Sequence, residues 1–148
     1  MVVFWLASFF FGVSGVPVSQ GSMVALRNGH LRHSKGVALT RWRALVFKAA
    51  YEACRGLNVD VPLDGPVRLR LVFVLPRPKR PRFWVPAVKP DLDKLVRAVG
   101  DSLCPSSGPR VLREDSRIVH VDAYKVYADY PIQPGLLCWV STVEGVRK

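Results

Sequence analysis

The chain has 148 residues, with 22 Lys and Arg against 11 Asp and Glu, a formal net charge of +11 and a hydrophobic fraction of 49%. That length is enough for one domain with a real core, and the composition excludes a disordered chain. A compact domain this basic points to a polyanionic partner, nucleic acid first. Cys54, Cys104 and Cys138 form no C-x-x-C pair, which argues against a zinc knuckle or redox motif, and free thiols suit a reducing cytosol. His30, His33 and His120 lack metal-ligand spacing; the first two read as polar loop residues and the third as a structural strand residue.

The aromatic run at residues 2–11 has the look of a signal h-region, but no Lys or Arg precedes Arg27, and the run is too short to span a bilayer. It reads as a buried strand over residues 7–13. A start assigned too far upstream, or a membrane-associated protein using this run, are the alternatives. Turn residues at 15–22 end the strand. Residues 27–36 form a basic loop with room for a short exposed hairpin, either a DNA-facing arm or a solvated loop. Thr40 is positioned to cap a helix over 41–55. Its apolar side is Trp42, Leu45, Val46, Ala49, Ala50 and Ala53, with Gly56 at its C-terminal end.

Residues 67–75 alternate. Val67, Leu69, Leu71, Phe73 and Leu75 take one face of a strand, Arg68 and Arg70 the other, and Pro76 stops it. In residues 76–86, Arg77, Lys79, Arg80 and Arg82 alternate with prolines, and Phe83 and Trp84 follow. Proline keeps such a segment extended and out of the sheet. Its cations suit phosphates and its aromatics suit bases; a solvated linker is the plain alternative.

Asp91 then reads as the N-cap of a helix over 92–103, with an apolar stripe of Leu92, Leu95, Val96, Val99 and Leu103. Asp93, Arg97 and Asp101 stand at i, i+4 and i+8, so each can reach the next. These acids could simply favour the helix dipole. A loop at 104–110, an acidic point at Glu114 and Asp115, and strands over 117–127 and 136–143 complete the order β-α-β-α-β-β. That order predicts an α+β domain, a small mixed sheet with two helices packed on one face.

In so basic a protein, Asp91, Asp93 and Asp115 beside a cationic segment would repel DNA on their own. With bound Mg²⁺ they would do the opposite, since this hard cation takes carboxylate oxygens and keeps several waters. It could then polarise a phosphate and activate water, with Arg97 neutralising the developing charge.

The residues Pro90-Asp91-Leu92-Asp93-Lys94-Leu95, then Asp101-Ser102-Leu103, then Glu114-Asp115-Ser116-Arg117-Ile118-Val119 and Lys125-Val126-Tyr127 follow a Leu-Pro-Arg-Pro-Lys strand end. In that order the chain, from about residue 15 to 135, resembles the RusA family of Holliday-junction resolvases, small endonucleases of bacteria and their phages. The resemblance implies a single cytoplasmic endonuclease domain spanning residues 1–148. It implies metal-dependent, paired symmetric cutting of four-way or other branched DNA by a homodimer. It also implies a metal site at Asp91, Asp93 and Asp115 that uses Mg²⁺, with Mn²⁺ able to substitute. Arg97 stands where a catalytic lysine is usual. Lys94 replaces a common asparagine, Glu114 replaces the first of two aspartates, and the loop over 104–113 is long. Arg77, Lys79, Arg80, Arg82, Trp84, Lys89, Lys94 and Lys125 are the expected DNA contacts. The apolar first strand, through Phe9 and Phe10, is the expected dimer interface. A non-catalytic branched-DNA-binding module on the same fold is the competing reading.

Overall fold

The computed structural model describes residues 3–21, 23–25, 27–29, 31–33 and 36–145. In chain order the elements are β1 (Val3–Ser14), β2 (Met23–Ala25), β3 (Leu31–His33), α1 (Gly36–Gly56), β4 (Val67–Leu75), α2 (Leu92–Leu103), β5 (Ile118–Tyr127) and β6 (Gly135–Gly145). A single 3-10 turn, Asp115–Arg117, leads into β5. The four long strands make one mixed sheet in the order β1-β6-β4-β5. β6 is antiparallel to β1 and β4, and β4 is parallel to β5. The expected α+β class and the order β-α-β-α-β-β hold.

Alternation explains the sheet. Phe9, Phe11 and Val13 of β1 are buried, as are Val67, Leu69, Leu71 and Phe73 of β4 and Leu136, Cys138 and Val140 of β6. Both helices pack onto this core, α1 through Leu39, Trp42, Val46, Ala50 and Cys54 and α2 through Leu95, Ala98, Val99 and Leu103. The intervening residues Phe10, Arg70, Leu137 and Trp139 face outward. Arg70 lies over the Trp139 ring at 5.8 Å and donates to the Tyr124 hydroxyl at 3.2 Å. Phe9, expected at a dimer interface, is therefore a core residue at 5% exposure, whereas Phe10 is 47% exposed.

Several boundaries differ from expectation for physical reasons. β1 starts at Val3 rather than residue 7, because its whole length finds a partner in β6, with a bulge between Ala7 and Phe9. The helix α1 starts one turn before Thr40. That hydroxyl does not cap; it donates back to the Gly36 carbonyl at 2.8 Å. Leu39 extends the buried stripe while Leu45 stays exposed. Past the end of α1 the left-handed residue is Asn58 (φ 53), not Gly56. The hairpin β2–β3 pairs Met23 with His33, beginning earlier than the basic loop suggested, and His30 lies outside the described residues. No helix among the described residues is long and apolar enough to cross a membrane.

Candidate functional site

The first turn of α2 leaves carboxylates to spare. Asp91 is extended (φ −69, ψ 136) and occupies the N-cap position, but its side chain makes no cap hydrogen bond. The helix opens through the backbone, Leu95 N–H donating to the Asp91 carbonyl at 3.1 Å. The Asp91 carboxylate lies instead 3.3 Å from Lys94 Nζ. Asp93 is exposed and has no ion-pair partner among the described residues. Capping thus uses only the Asp91 backbone; neither carboxylate is consumed by it, although that of Asp91 is shared with Lys94.

The expected chain of contacts from Asp93 through Arg97 to Asp101 does not form. Asp101 is half-buried and pairs at 2.9 Å with Arg43 of α1. Arg43 also donates to the Gln20 side chain, and the Gln20 N–H donates to the Lys94 carbonyl at 3.1 Å. Arg43 therefore ties both helices and the segment after β1 together, just behind the acidic turn. Arg97 is exposed, one turn past Asp93. Nothing local announced Arg43, since its partner lies 58 residues away.

Asp115 sits elsewhere. The strand β5 runs opposite to α2. Its late residue Lys125 donates to the carbonyls of Val88 (2.8 Å) and Pro90 (2.9 Å), next to Asp91. Its first residue, Ile118, lies against Gly100 near the other end of the helix. The Asp115 charge acts on the Cys104 thiol, just past the C-terminus of α2. Burial first, and then Asp115, push that thiol up to about 11. Twelve residues of helix span about 18 Å, so one chain holds Asp91 and Asp93 at one end of α2 and Asp115 near the other. Among the described residues no group of three or more His, Cys, Asp or Glu side chains is gathered as a ready ligand set.

The segment around Asp115 is anchored by an acid that carries no sequence signal. Asp64 pairs with Arg113 at 3.0 Å and with Arg117 at 2.9 Å. Glu114, in the place of a first aspartate, is occupied by Arg117 at 3.2 Å and Ser116 at 3.0 Å. Leu63 and Leu112 form a parallel bridge that pins the long 104–113 loop. Asp115 itself is exposed and without an ion pair among the described residues.

The cationic segment lies at the Asp91 end. Lys79, Arg80, Arg82 and Lys89 are exposed and have no ion pair among the described residues. Arg82 rests on Phe83 at 5.1 Å, and Trp84 is 86% exposed. Arg77 is held by Asp129 at 2.8 Å. Lys125 is committed to its two carbonyls, so it acts as a structural strut, and Lys94 faces Asp91. The segment stays out of the sheet as expected, but it bends back on itself rather than running extended.

Two carboxylates not used in capping, four unpaired cations and a protruding tryptophan at one end of a small α+β domain are compatible with a nucleic-acid-processing protein. The sequence profile described as Endodeoxyribonuclease RusA matches residues 17–133. The chain belongs to that family, and so to the endonucleases that resolve Holliday junctions and act on branched DNA. No curated protein gives a significant match to the chain.

Proposed function

We propose that this chain is a Mg²⁺-dependent endonuclease that resolves four-way junctions by paired symmetric cuts as a homodimer, with Mn²⁺ able to replace Mg²⁺. The observation that carries this reading is the pair Asp91 and Asp93, two carboxylates not consumed by capping, beside four unpaired cations. Their chemistry fits the ion, which takes hard oxygens and needs only one or two carboxylates from the protein. When bound, the ion would polarise the scissile phosphate and lower the pKa of a water for in-line attack. Lys79, Arg80, Arg82 and Lys89 hold the DNA backbone, and Trp84 stacks on bases at the branch. Arg97 faces the charge that builds on the phosphate, as a delocalised cation rather than a compact ammonium.

Asp115 joins the site from a second copy. A two-fold axis perpendicular to β5 would turn one β5 end-for-end relative to the other and bring the Asp115 end of one chain toward the Asp91 end of its partner. Within one chain the acids are apart, and that same observation favours the competing reading, a binding module without catalysis. The deciding experiment is cleavage of a synthetic four-way junction with and without Mg²⁺. Wild type gives paired nicks that need the ion. Asp91→Asn binds the junction at least as well, having lost a repulsive charge, but does not cut. Near-wild-type cutting by Asp91→Asn would refute the site. Binding without cutting in both Mg²⁺ and Mn²⁺ would establish the binding module.

A further inference from the structure

We propose that a proline-lined notch beside Asp91 receives an unstacked nucleobase from the branch point and so positions the backbone for cutting. The inference rests on the reading that the Asp91 end faces branched DNA. The notch holds about 260 Å³ and is lined by Pro17, Pro76, Pro78, Pro86 and Pro90, with Tyr127. Bending of the 76–90 segment brings four of these prolines, spread over fifteen positions, onto one wall.

The wall suits the face of a flat ring. Proline has no N–H, so the lining offers few donors and a stiff apolar surface. Two carbonyls of the adjoining chain, those of Val88 and Pro90, are already taken by Lys125 Nζ. A ring entering here meets mainly apolar groups, and these two acceptors do not compete for water. Lys89 stands on the lining, exposed and without an ion pair among the described residues, so a phosphate flanking an inserted base finds positive charge. The mouth is open, since Val16 and Val88 on the lining are 55% and 43% exposed. Pro90 of the wall directly precedes Asp91, so an inserted base fixes which phosphate lies at the carboxylates. Extruding a base costs least where stacking is already broken, as at a branch. Apolar contact without hydrogen-bond readout sets a preference by stacking strength rather than a strict code.

The test uses the full-length chain and four-way junctions carrying 2-aminopurine singly at each branch-flanking position, in EDTA for binding and in Mg²⁺ for cutting. Wild type raises the fluorescence several-fold at one position. Val88→Trp fills the mouth without touching a charge. It binds the junction within about twofold of wild type but loses the rise, and cutting falls about tenfold. Val16→Trp, on the other side of the mouth, does the same and stands in if the first variant fails to fold by circular dichroism. An unchanged rise in these folded variants overturns the proposal. So does wild-type binding and cutting with no rise at any position. A changed sedimentation mass in either variant would mean that a second copy fills the notch, which also overturns it. A chain that neither binds nor cuts the junction refutes the functional reading itself.

Discussion

Mixing two dead variants tests whether the metal site is shared between copies. Asp93→Asn and Asp115→Asn are each expected to be inactive alone. In one chain these residues lie toward opposite ends of α2, whose twelve residues span about 18 Å, too far for carboxylates of one chain to meet on one ion. If the site forms across a two-fold axis, a dimer of one variant with the other has one site with both substitutions and one with neither. Equal mixing makes about half of the dimers mixed, each with one intact site, so about a quarter of wild-type site density returns. The product changes as well: a single nick in one strand rather than paired cuts. The assay is gel analysis of end-labelled junctions after the two proteins are unfolded together and refolded. If every acid acted within its own chain, each mixed site would carry a lesion and the mixture would stay silent. Silence, with mixed dimers verified by differential tagging, refutes the shared site; so does a wild type that sediments as a monomer while cutting.

Two predictions concern the scaffold. A methyl group at Gly135 would collide with the Val13 carbonyl of the paired strand, and backbone cannot swing aside as a side chain can; Gly135→Ala therefore lowers the thermal midpoint by several degrees, and an unchanged midpoint would refute the close approach. Burial pushes the Cys54 thiol up to about 11 from an ordinary 9.0, and Cys138 further still. The unfolded chain then loses these protons first, so stability is flat below about pH 9 and falls as pH rises from there through the folded value. Urea midpoints between pH 8 and 11 check the sign. Cys54→Ala makes the fall shallower, and a fall of equal steepness would remove Cys54 as its cause.

What could be read from residues alone follows the range of the forces involved. The strand Val67–Leu75 and the helix Leu92–Leu103 were legible to the residue, because alternation, a 3.6-residue stripe and flanking prolines are local signals. The first strand was half legible: its apolar residues were plain, but its start at Val3 depends on β6, more than a hundred residues away. Arg43 with Asp101 and Asp64 with Arg117 are pairs separated by 58 and 53 positions, and no spacing rule reaches that far. The separation of Asp115 from Asp93 needed the direction of β5 against α2, which only packing decides. Charge gives the carboxylates their meaning. With 22 cations to 11 acids, an acid finds a partner easily, and Asp64, Asp91, Asp101, Glu114, Asp122 and Asp129 all have one. Asp93 and Asp115 do not, among the described residues, and neither do Glu52 and Asp60. An exposed carboxylate with no cation beside it keeps its oxygens available, so a metal ion can take it without first displacing a lysine or arginine. Asp93 has a second carboxylate two residues away in the same turn, and the dimer proposed above would bring Asp115 to the partner's Asp91 end. In the proposed dimer, unsatisfied negative charge thus gathers at the place where an ion is needed.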